Sequence, residues 1–288
     1  MEQIEINIKN WKELEEALNE QNTFKDGYWC FRGQANSKWP ISSSIERANS
    51  TSCESTMIRE FLQSIRLFKD NNSKMDIIET LALMQHHGAP TRLTDWSFSP
   101  YVALYFAIHS VEKYDECCAI YAIDKFELTF EYKRLYSQLF PYSSSEIFTH
   151  QNHFHNDNIY QMTDIDNSKI ENKPNFVLPI QPFYKNKRQQ YQQGLFLFQT
   201  TFTSNSENKI PFIDSLSRSI KDIKEKMFYK FIILNYLKSD ILYNLNLMNI
   251  NHMTLFPDID GFSKYIGIKN RNLPDYGKSV AFEPKENL

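Results

Sequence analysis

The chain has 288 residues, 41% of them hydrophobic and 23% charged, and its 32 Lys and Arg against 35 Asp and Glu give a formal net charge of −3. This composition predicts a globular protein with a sizeable core. The nearly balanced charge argues against non-specific nucleic-acid binding as the main activity. The sequence contains no run of about 20 apolar residues, so no membrane span is predicted. The four cysteines lack zinc-ligand spacing and the acidic first residues lack a signal-peptide core, which favours a cytoplasmic location.

Apolar periodicity predicts helices in the first part of the chain, with one strand among them. Asn10 and Glu13 form a capping-box pattern that opens a short helix. Ser99 and Pro100 give an N-cap and first-turn pair for a helix that reaches Val111 and is apolar nearly all round, so we expect it to be buried. The other predicted elements are a strand over residues 28–31 and helices over residues 54–69 and 76–87, the last ending before Gly88.

Strands are frequent in the second part of the chain. They are predicted over residues 117–123, 176–180, 195–198 and 227–234, with a helix over residues 240–247 and a short helix or turn over residues 257–261. Residues 140–175 lack periodicity and predict a loop-like insertion. Because strands and helices do not alternate strictly, we expect an α+β fold with a mixed or antiparallel sheet flanked by helices.

Polar and ionisable side chains concentrate in three segments, each beside an apolar element. The densest lies between two helices and runs from Gln85 to Ser97. The second, Arg32-Gly33-Gln34, ends the first strand, and the third, residues 188–194, precedes a later strand. One shared pocket is the simplest explanation of such clusters, so we expect the three segments to meet.

Structural roles also explain these residues. His86 and His87 could favour the negative end of a helix dipole, and as neighbours on a helix they diverge, which argues against a metal pair. Arg92 and Asp95 could form an ion pair across a turn. Trp96 could be a core anchor, and the Gln-rich segment could be a solvated surface. No set of metal ligands has a recognisable spacing, so no metal is expected.

The three clusters together resemble the FRG domain family. Its naming motif corresponds to Phe31-Arg32-Gly33, and its longest motif resembles the segment from Gln85 to Ala107, with His87, Thr94 and Ser97 as departures. Two further motifs resemble Asn186-x-Arg188-x-x-x-Gln192-x-Gly194-x-Phe196 and the segment from Leu255 to Gly261. The resemblance implies one domain over residues 25–265, after an N-terminal helical segment at residues 1–24 and before an irregular tail at residues 266–288.

Proteins of this family are mostly bacterial and of unsettled function, so the resemblance implies no reaction. A remote similarity connects the order of motifs to the arginine-class ADP-ribosyltransferases. In that class an Arg ends the first strand, a Ser-Thr-Ser strand follows, and a Glu or Gln motif precedes a later strand. Arg32, residues 94–97 and Gln192 stand in that order here. The Ser-Thr-Ser triplet is absent, and Gln192 can neither act as a base nor carry charge.

Two functions of different class stay open. In the first, an enzyme acts on NAD as an ADP-ribosyltransferase or NAD hydrolase; His86, His87, Asp95 and Gln192 would be its catalytic residues. In the second, a module senses an anionic ligand or a protein without chemistry, for example in a bacterial defence or toxin system. The ligand-binding residues common to both are Arg32, Gly33, Gln34, Arg92, Trp96 and Arg188.

Arg32 is the expected phosphate contact, because a guanidinium matches phosphate geometry bidentately. Gly33 beside it would let a phosphate approach the backbone. Arg92 is expected to be structural, with Asp95 as its buried acceptor. A nuclease would need a carboxylate cluster for metal ions, and none has a recognisable spacing. The expected partner is therefore a small anionic ligand or nucleotide, with NAD as the substrate in the enzymatic case and no certain cofactor.

Overall fold

A computed structural model of the chain describes residues 4–19, 24, 28–68, 75–110, 116–139, 175–182, 185–204, 208–220 and 228–272. Over these residues helices flank an open, mixed sheet of seven strands. The expected α+β class is therefore confirmed. Within the same ranges, no helix combines the length and the apolar character needed to cross a membrane.

The strands are β1 (Ile4–Ile8), β2 (Trp29–Gln34), β3 (Leu93–Ser97), β4 (Cys117–Asp124), β5 (Val177–Ile180), β6 (Gly194–Gln199), β7 (Thr203–Ser204), β8 (Asn208–Lys209) and β9 (Phe228–Leu234). The main sheet has the order β1-β9-β4-β2-β3-β6-β5, and β7 pairs only with β8. The outer strand β1 runs parallel to β9, and every other neighbouring pair in the sheet is antiparallel.

The helices are α1 (Trp11–Asn19), α2 (Ser44–Arg47), α3 (Glu54–Ser64), α4 (Ile77–His86), α5 (Pro100–Ile108), α6 (Lys125–Leu139), α7 (Lys187–Tyr191), α8 (Phe212–Ser219), α9 (Lys238–Leu247), α10 (His252–Leu255) and α11 (Ile259–Asn272). Several begin where the sequence predicts. Ser99 Oγ accepts from the backbone N–H of Val102 at the start of α5, and Gly88 takes a φ of +89° just after α4.

The sheet is covered on both faces, and its inner strand β4 is buried along nearly its whole length. On one face α1, α5 and α9 bury a cluster that includes Leu14, Leu104 and Leu245. On the other face, Leu128 of α6 and Phe212 of α8 pack beneath β4 and β6. Helix α5 is the most enclosed, as its apolar sequence predicts.

Several sequence predictions need correction. The sequence analysis gives no strand at β1 or β3 and no helix at α6, although the N-terminal segment contributes β1 to the sheet edge beside β9. The last helix is longer than predicted and continues to Asn272. The predicted insertion at residues 140–175 lies almost wholly outside the described residues, as does the tail beyond residue 272. The division into segments 1–24, 25–265 and 266–288 stays a prediction.

Candidate functional site

A cavity of about 310 Å³ opens where β2 and β3 separate. The two strands pair at a single position, Phe31 opposite Ser97, and then diverge. Arg32 and Gly33 lie on one side of the gap and Asp95 lies on the other. Antiparallel strands normally satisfy each other's backbone groups, so this split leaves polar groups available to side chains and to a ligand.

Arg32 bridges the split. Its Nη1 donates to the backbone carbonyl of Asp95 at 2.7 Å, where a strand pair would otherwise continue. Its Nε is buried and has no hydrogen-bond partner among the described residues. Burial lowers the pKa of Arg32, the charge of Asp95 opposes that change, and Arg47 adds to it. The guanidinium therefore stays a charged donor group that protein partners satisfy only in part.

Asp95 supplies the negative charge of the cavity. Its side chain is exposed, in contrast to the neighbouring residues of β3. Gln85 Nε2 donates to Asp95 Oδ1 at 2.7 Å, and the side-chain oxygen of Gln85 in turn accepts from the Thr91 hydroxyl. This chain of hydrogen bonds fixes the orientation of the Gln85 amide and of the carboxylate.

The third wall comes from α7 and the turn after it. Asn186 and Gln189 form a capping box at the start of α7, which places Arg188 beside the cavity. The Arg188 guanidinium lies over the ring of Phe256, with 4.2 Å between Cζ and the ring centroid. Burial lowers the pKa of Arg188, whereas the negative charges of Asp95 and Asp258 raise it.

Gln192 ends this wall, and both its backbone and its side chain are engaged. Its backbone carbonyl accepts from Ser97 Oγ at 2.8 Å, which ties the turn to the end of β3. Its Nε2 donates to the Leu255 carbonyl at 3.0 Å. Gln192 lines the cavity, and its side-chain oxygen is an uncharged acceptor.

His86 lies in the last turn of α4 at the mouth of the cavity. Desolvation lowers its pKa, and the neighbouring His87 and Arg188 lower it further, whereas Asp258 raises it. The neutral imidazole is therefore favoured near pH 7, where it can accept a proton or a hydrogen bond.

Arg92 lies outside the cavity, and the prediction that Asp95 is its partner is wrong. The side chain is 1% exposed and forms an ion pair with Glu54, which its Nε and Nη2 both contact. Its Nη1 donates to the carbonyls of Gln199 and Thr200 at 3.0 and 2.7 Å. Asp95 is not its acceptor, because successive residues of an extended segment face opposite sides of the sheet and Arg92 and Asp95 are three positions apart. Arg92 is structural, and its donors are bound within the protein.

Three other candidates contribute little or no surface to the cavity. Gln34 is buried and does not line the cavity, and its Nε2 donates to the Pro40 carbonyl. His87 is exposed beyond the cavity and contacts the edge of the His86 ring. Trp96 borders the cavity but is 3% exposed, and its indole N–H donates to Thr94 Oγ1. The indole is thus a core group.

The explanation offered for Gly33 also needs correction. A Cβ at this position would lie 1.9 Å from the Ala103 carbonyl oxygen and 2.6 Å from the Ala107 amide nitrogen. Gly33 therefore permits the close approach of α5 to β2, and that approach fills the space that we expected a phosphate to use.

The sequence analysis misses part of the cavity wall. These residues are Phe31, Ala82, Gln85, Ser97, Ala103, Phe106, Asn186, Gln189, Gly194, Leu195 and Phe196. Gln85 stands in the densest polar segment, and Asn186 opens a capping-box pattern, so both carry a signal in the sequence. Phe256 stands in the segment from Leu255 to Gly261 that resembles a family motif, but its contact with Arg188 joins positions 68 residues apart and leaves no local pattern.

The cavity offers two cations, one carboxylate, one imidazole and several amides. Among the described residues, no group of three or more His, Cys, Asp or Glu could hold a metal ion. The arrangement suits hydrogen bonding to an anionic group through Arg32 and Arg188. The half-buried Phe106 adds apolar surface for a ring, whereas Phe31 and Phe196 border the cavity as buried core groups.

The fold and the cavity define an α+β protein with a ligand-sized cleft at a split in its sheet. The family model of the FRG domain matches residues 27–116, which hold β2, α4, β3 and α5. This match supports the resemblance to the FRG domain family drawn from the sequence. No curated protein matches the chain, and no solved structure matches it.

Proposed function

We propose that the cavity binds a small anionic ligand of nucleotide type, with Arg32 as its principal anion contact. The observation that carries this proposal is the state of Arg32: within the part of the chain that the structure describes, the Nε of its guanidinium is buried without a partner and its side chain forms one hydrogen bond, to a carbonyl. Buried polar groups are normally satisfied, so a ligand anion is the group that would complete the hydrogen bonding of this side chain.

The size of the cavity limits what enters it. Ligand sites usually have volumes of roughly 300–1,000 Å³, and about 310 Å³ is at the lower end of that range. The cavity would therefore hold one ring-and-phosphate unit, and the rest of a dinucleotide would lie outside. Phe106 is half-buried at the wall and offers a face to a ring.

Calorimetric titration with AMP, adenosine, ADP-ribose and NAD tests the proposal. We expect AMP to bind more tightly than adenosine, since only AMP carries the anion. Arg32→Gln should weaken AMP binding about 10- to 100-fold, the value of a charge-assisted hydrogen bond. The matched control is Arg59→Gln on the exposed side of α3, which should change nothing. Equal affinities of AMP for the protein and for Arg32→Gln would contradict the proposal.

The second candidate is cleavage of the glycosidic bond of NAD, and the position of Asp95 favours it. Departure of nicotinamide leaves positive charge on the ribose carbon, and a carboxylate in the cavity would stabilise that charge. In the order of motifs, Gln192 stands where the arginine-class ADP-ribosyltransferases have a Glu or Gln. Its side-chain oxygen would accept a hydrogen bond from a ribose hydroxyl. The neutral amide of Gln192 leaves Asp95 as the one carboxylate among the cavity-lining residues that the structure describes.

Release of nicotinamide from NAD, followed by chromatography and mass spectrometry, tests this second candidate. Asp95→Asn should abolish release while leaving AMP binding within a few-fold of the unsubstituted protein. Asp240→Asn, on the exposed first turn of α9, is the matched control and should retain the activity. Tight AMP binding without any nicotinamide release would leave the binding module as the function.

A further inference from the structure

Phe256 lies at the centre of a stack just outside the cavity. The Arg188 Cζ and the His252 ring each lie 4.2 Å from the centre of its ring. If the guanidinium and the imidazole both lay on one face of the Phe256 ring at this distance, they would overlap. They therefore lie on opposite faces of the ring. The Phe106 ring meets Phe256 edge-on at 5.9 Å between ring centroids, which places the stack against the cavity wall.

This stack holds Arg188 without using its donors. Among the described residues, the Arg188 guanidinium contacts the Phe256 face and interacts electrostatically with Asp95, Asp258, His86 and His252, but its N–H groups form no hydrogen bond or ion pair. An aromatic face attracts a guanidinium and leaves its N–H groups pointing outward from the edge of the plane. A guanidinium held in this way is oriented before an anion arrives, which lowers the entropy cost of binding.

We propose that Phe256 is a positioning residue that orients Arg188 for anion binding, an inference that rests on the proposed function of the cavity. Phe256 touches no ligand in this scheme and acts only through Arg188. The chain thereby completes its anion site with a residue outside the matched family segment of residues 27–116.

The segment that carries Phe256 is itself tightly fixed. Asn251 and Thr254 form a capping box at α10, and the Leu255 carbonyl accepts from Gln192. His252 Nδ1 lies 3.0 Å from the hydroxyl of Tyr105. Three independent contacts therefore hold Phe256 in place, which a merely space-filling phenylalanine would not need.

The first arm of the test needs no ligand. The side-chain Nε–Hε resonance of Arg188, assigned by its loss in Arg188→Lys, is followed by NMR in the unsubstituted protein, in Phe256→Leu and in Phe256→Tyr. Loss of the ring in Phe256→Leu should shift this resonance and raise the mobility of the N–H group, and Phe256→Tyr should restore both. The control is Phe262→Leu, a 44% exposed phenylalanine on α11. An Arg188 resonance that is unchanged in Phe256→Leu would overturn the proposal.

The second arm is a double-mutant cycle with AMP as the probe. Phe256→Leu should weaken AMP binding about 2- to 30-fold, the range of a cation–π contact. In the Arg188→Gln background the same substitution should change affinity less than about 2-fold, because Arg188 is no longer there to orient. Equal effects in both backgrounds would overturn the proposal. Absence of AMP binding to the unsubstituted protein would refute the proposed function instead, and the NMR arm then decides the role of Phe256.

Discussion

Replacing Arg92 with methionine should destabilise the fold without touching the cavity. Methionine keeps much of the volume and removes the charge, so Glu54 stays behind as a buried carboxylate. Both side chains of this ion pair are 2% exposed, and the carbonyls of Gln199 and Thr200 also lose their donor. The contacts of Arg92 with the rings of Phe198 and Phe202, at 5.4 and 4.6 Å, disappear as well.

The expected cost is about 3–5 kcal/mol, the usual loss when one partner of a buried pair is removed. Domains of this kind have total stabilities of about 5–15 kcal/mol, so the variant should lose from about a fifth of its stability upward. Replacing both partners, as in Arg92→Met with Glu54→Leu, removes the stranded charge and should recover most of the loss.

Guanidinium chloride unfolding measures these differences, with the fluorescence of the buried Trp29 and Trp96 as the signal. The control is Arg59→Met at an exposed position of α3, which should stay within about 0.5 kcal/mol of the unsubstituted protein. A cost below about 1 kcal/mol for Arg92→Met would refute the reasoning, and so would a double variant whose cost equals the sum of the two single ones.

Three further predictions concern packing and pH. Gly33→Ala should destabilise the fold by about 1–3 kcal/mol or more in thermal unfolding, because its Cβ would lie 1.9 Å from the Ala103 carbonyl oxygen. Phe106→Ala should cost less than the 3–5 kcal/mol typical of a fully buried ring, and Phe31→Ala should reach that range, because Phe106 is only half-buried. Burial, with nearby cations, lowers the pKa of His252 from 6.5 to about 4, so the unfolded chain takes up this proton first as the pH falls. The stability from His252 should be complete above pH 6.5 and fall by about 2 kcal/mol between pH 6.5 and 4; His252→Asn should flatten that part of the stability profile, and an unchanged slope would contradict it.

Local signals predicted the elements that depend on neighbouring residues. Asn10 caps α1 as predicted, since the Glu13 amide donates to Asn10 Oδ1 at 2.9 Å, although the Glu13 carboxylate accepts from the Lys9 amide instead of the Asn10 amide. The end of α4 at Gly88 and the start of α5 at Ser99 follow from the same kind of local chemistry. These features need no knowledge of the rest of the fold, so the sequence is sufficient for them.

The strand β3 escaped prediction because its stability comes from distant partners. Its five residues, Leu93–Ser97, do not alternate strictly between apolar and polar side chains, because Thr94 and Asp95 are both polar, and they pair with β6, about a hundred residues later. The same distance explains the error over Arg92. Glu54 opens α3 and has the sequence context of a solvated first-turn acid, yet it is buried against Arg92. An ion pair between two residues that are 38 positions apart in the chain leaves no local pattern in the sequence.

The grouping of polar clusters was the more informative signal for the site. Arg32, Asp95 and Gln192 do line one cavity, as their shared setting beside apolar elements predicted. Their individual roles could not be ranked from the sequence, because adjacent residues of a strand point to opposite faces. That alternation separates Asp95, which faces the cavity, from Trp96, whose indole lies in the core.

The distribution of the cavity residues along the chain has a consequence for its stability. Arg32 and Asp95 belong to the matched FRG segment, whereas Arg188 and Gln192 come from α7 and its turn. Without the later residues, β3 loses its pairing with β6 and the cavity loses its third wall. The cavity therefore exists only when both parts are folded together. A ligand that binds there binds the folded state alone, and at 100 times its dissociation constant it should stabilise the whole fold by about 2.7 kcal/mol.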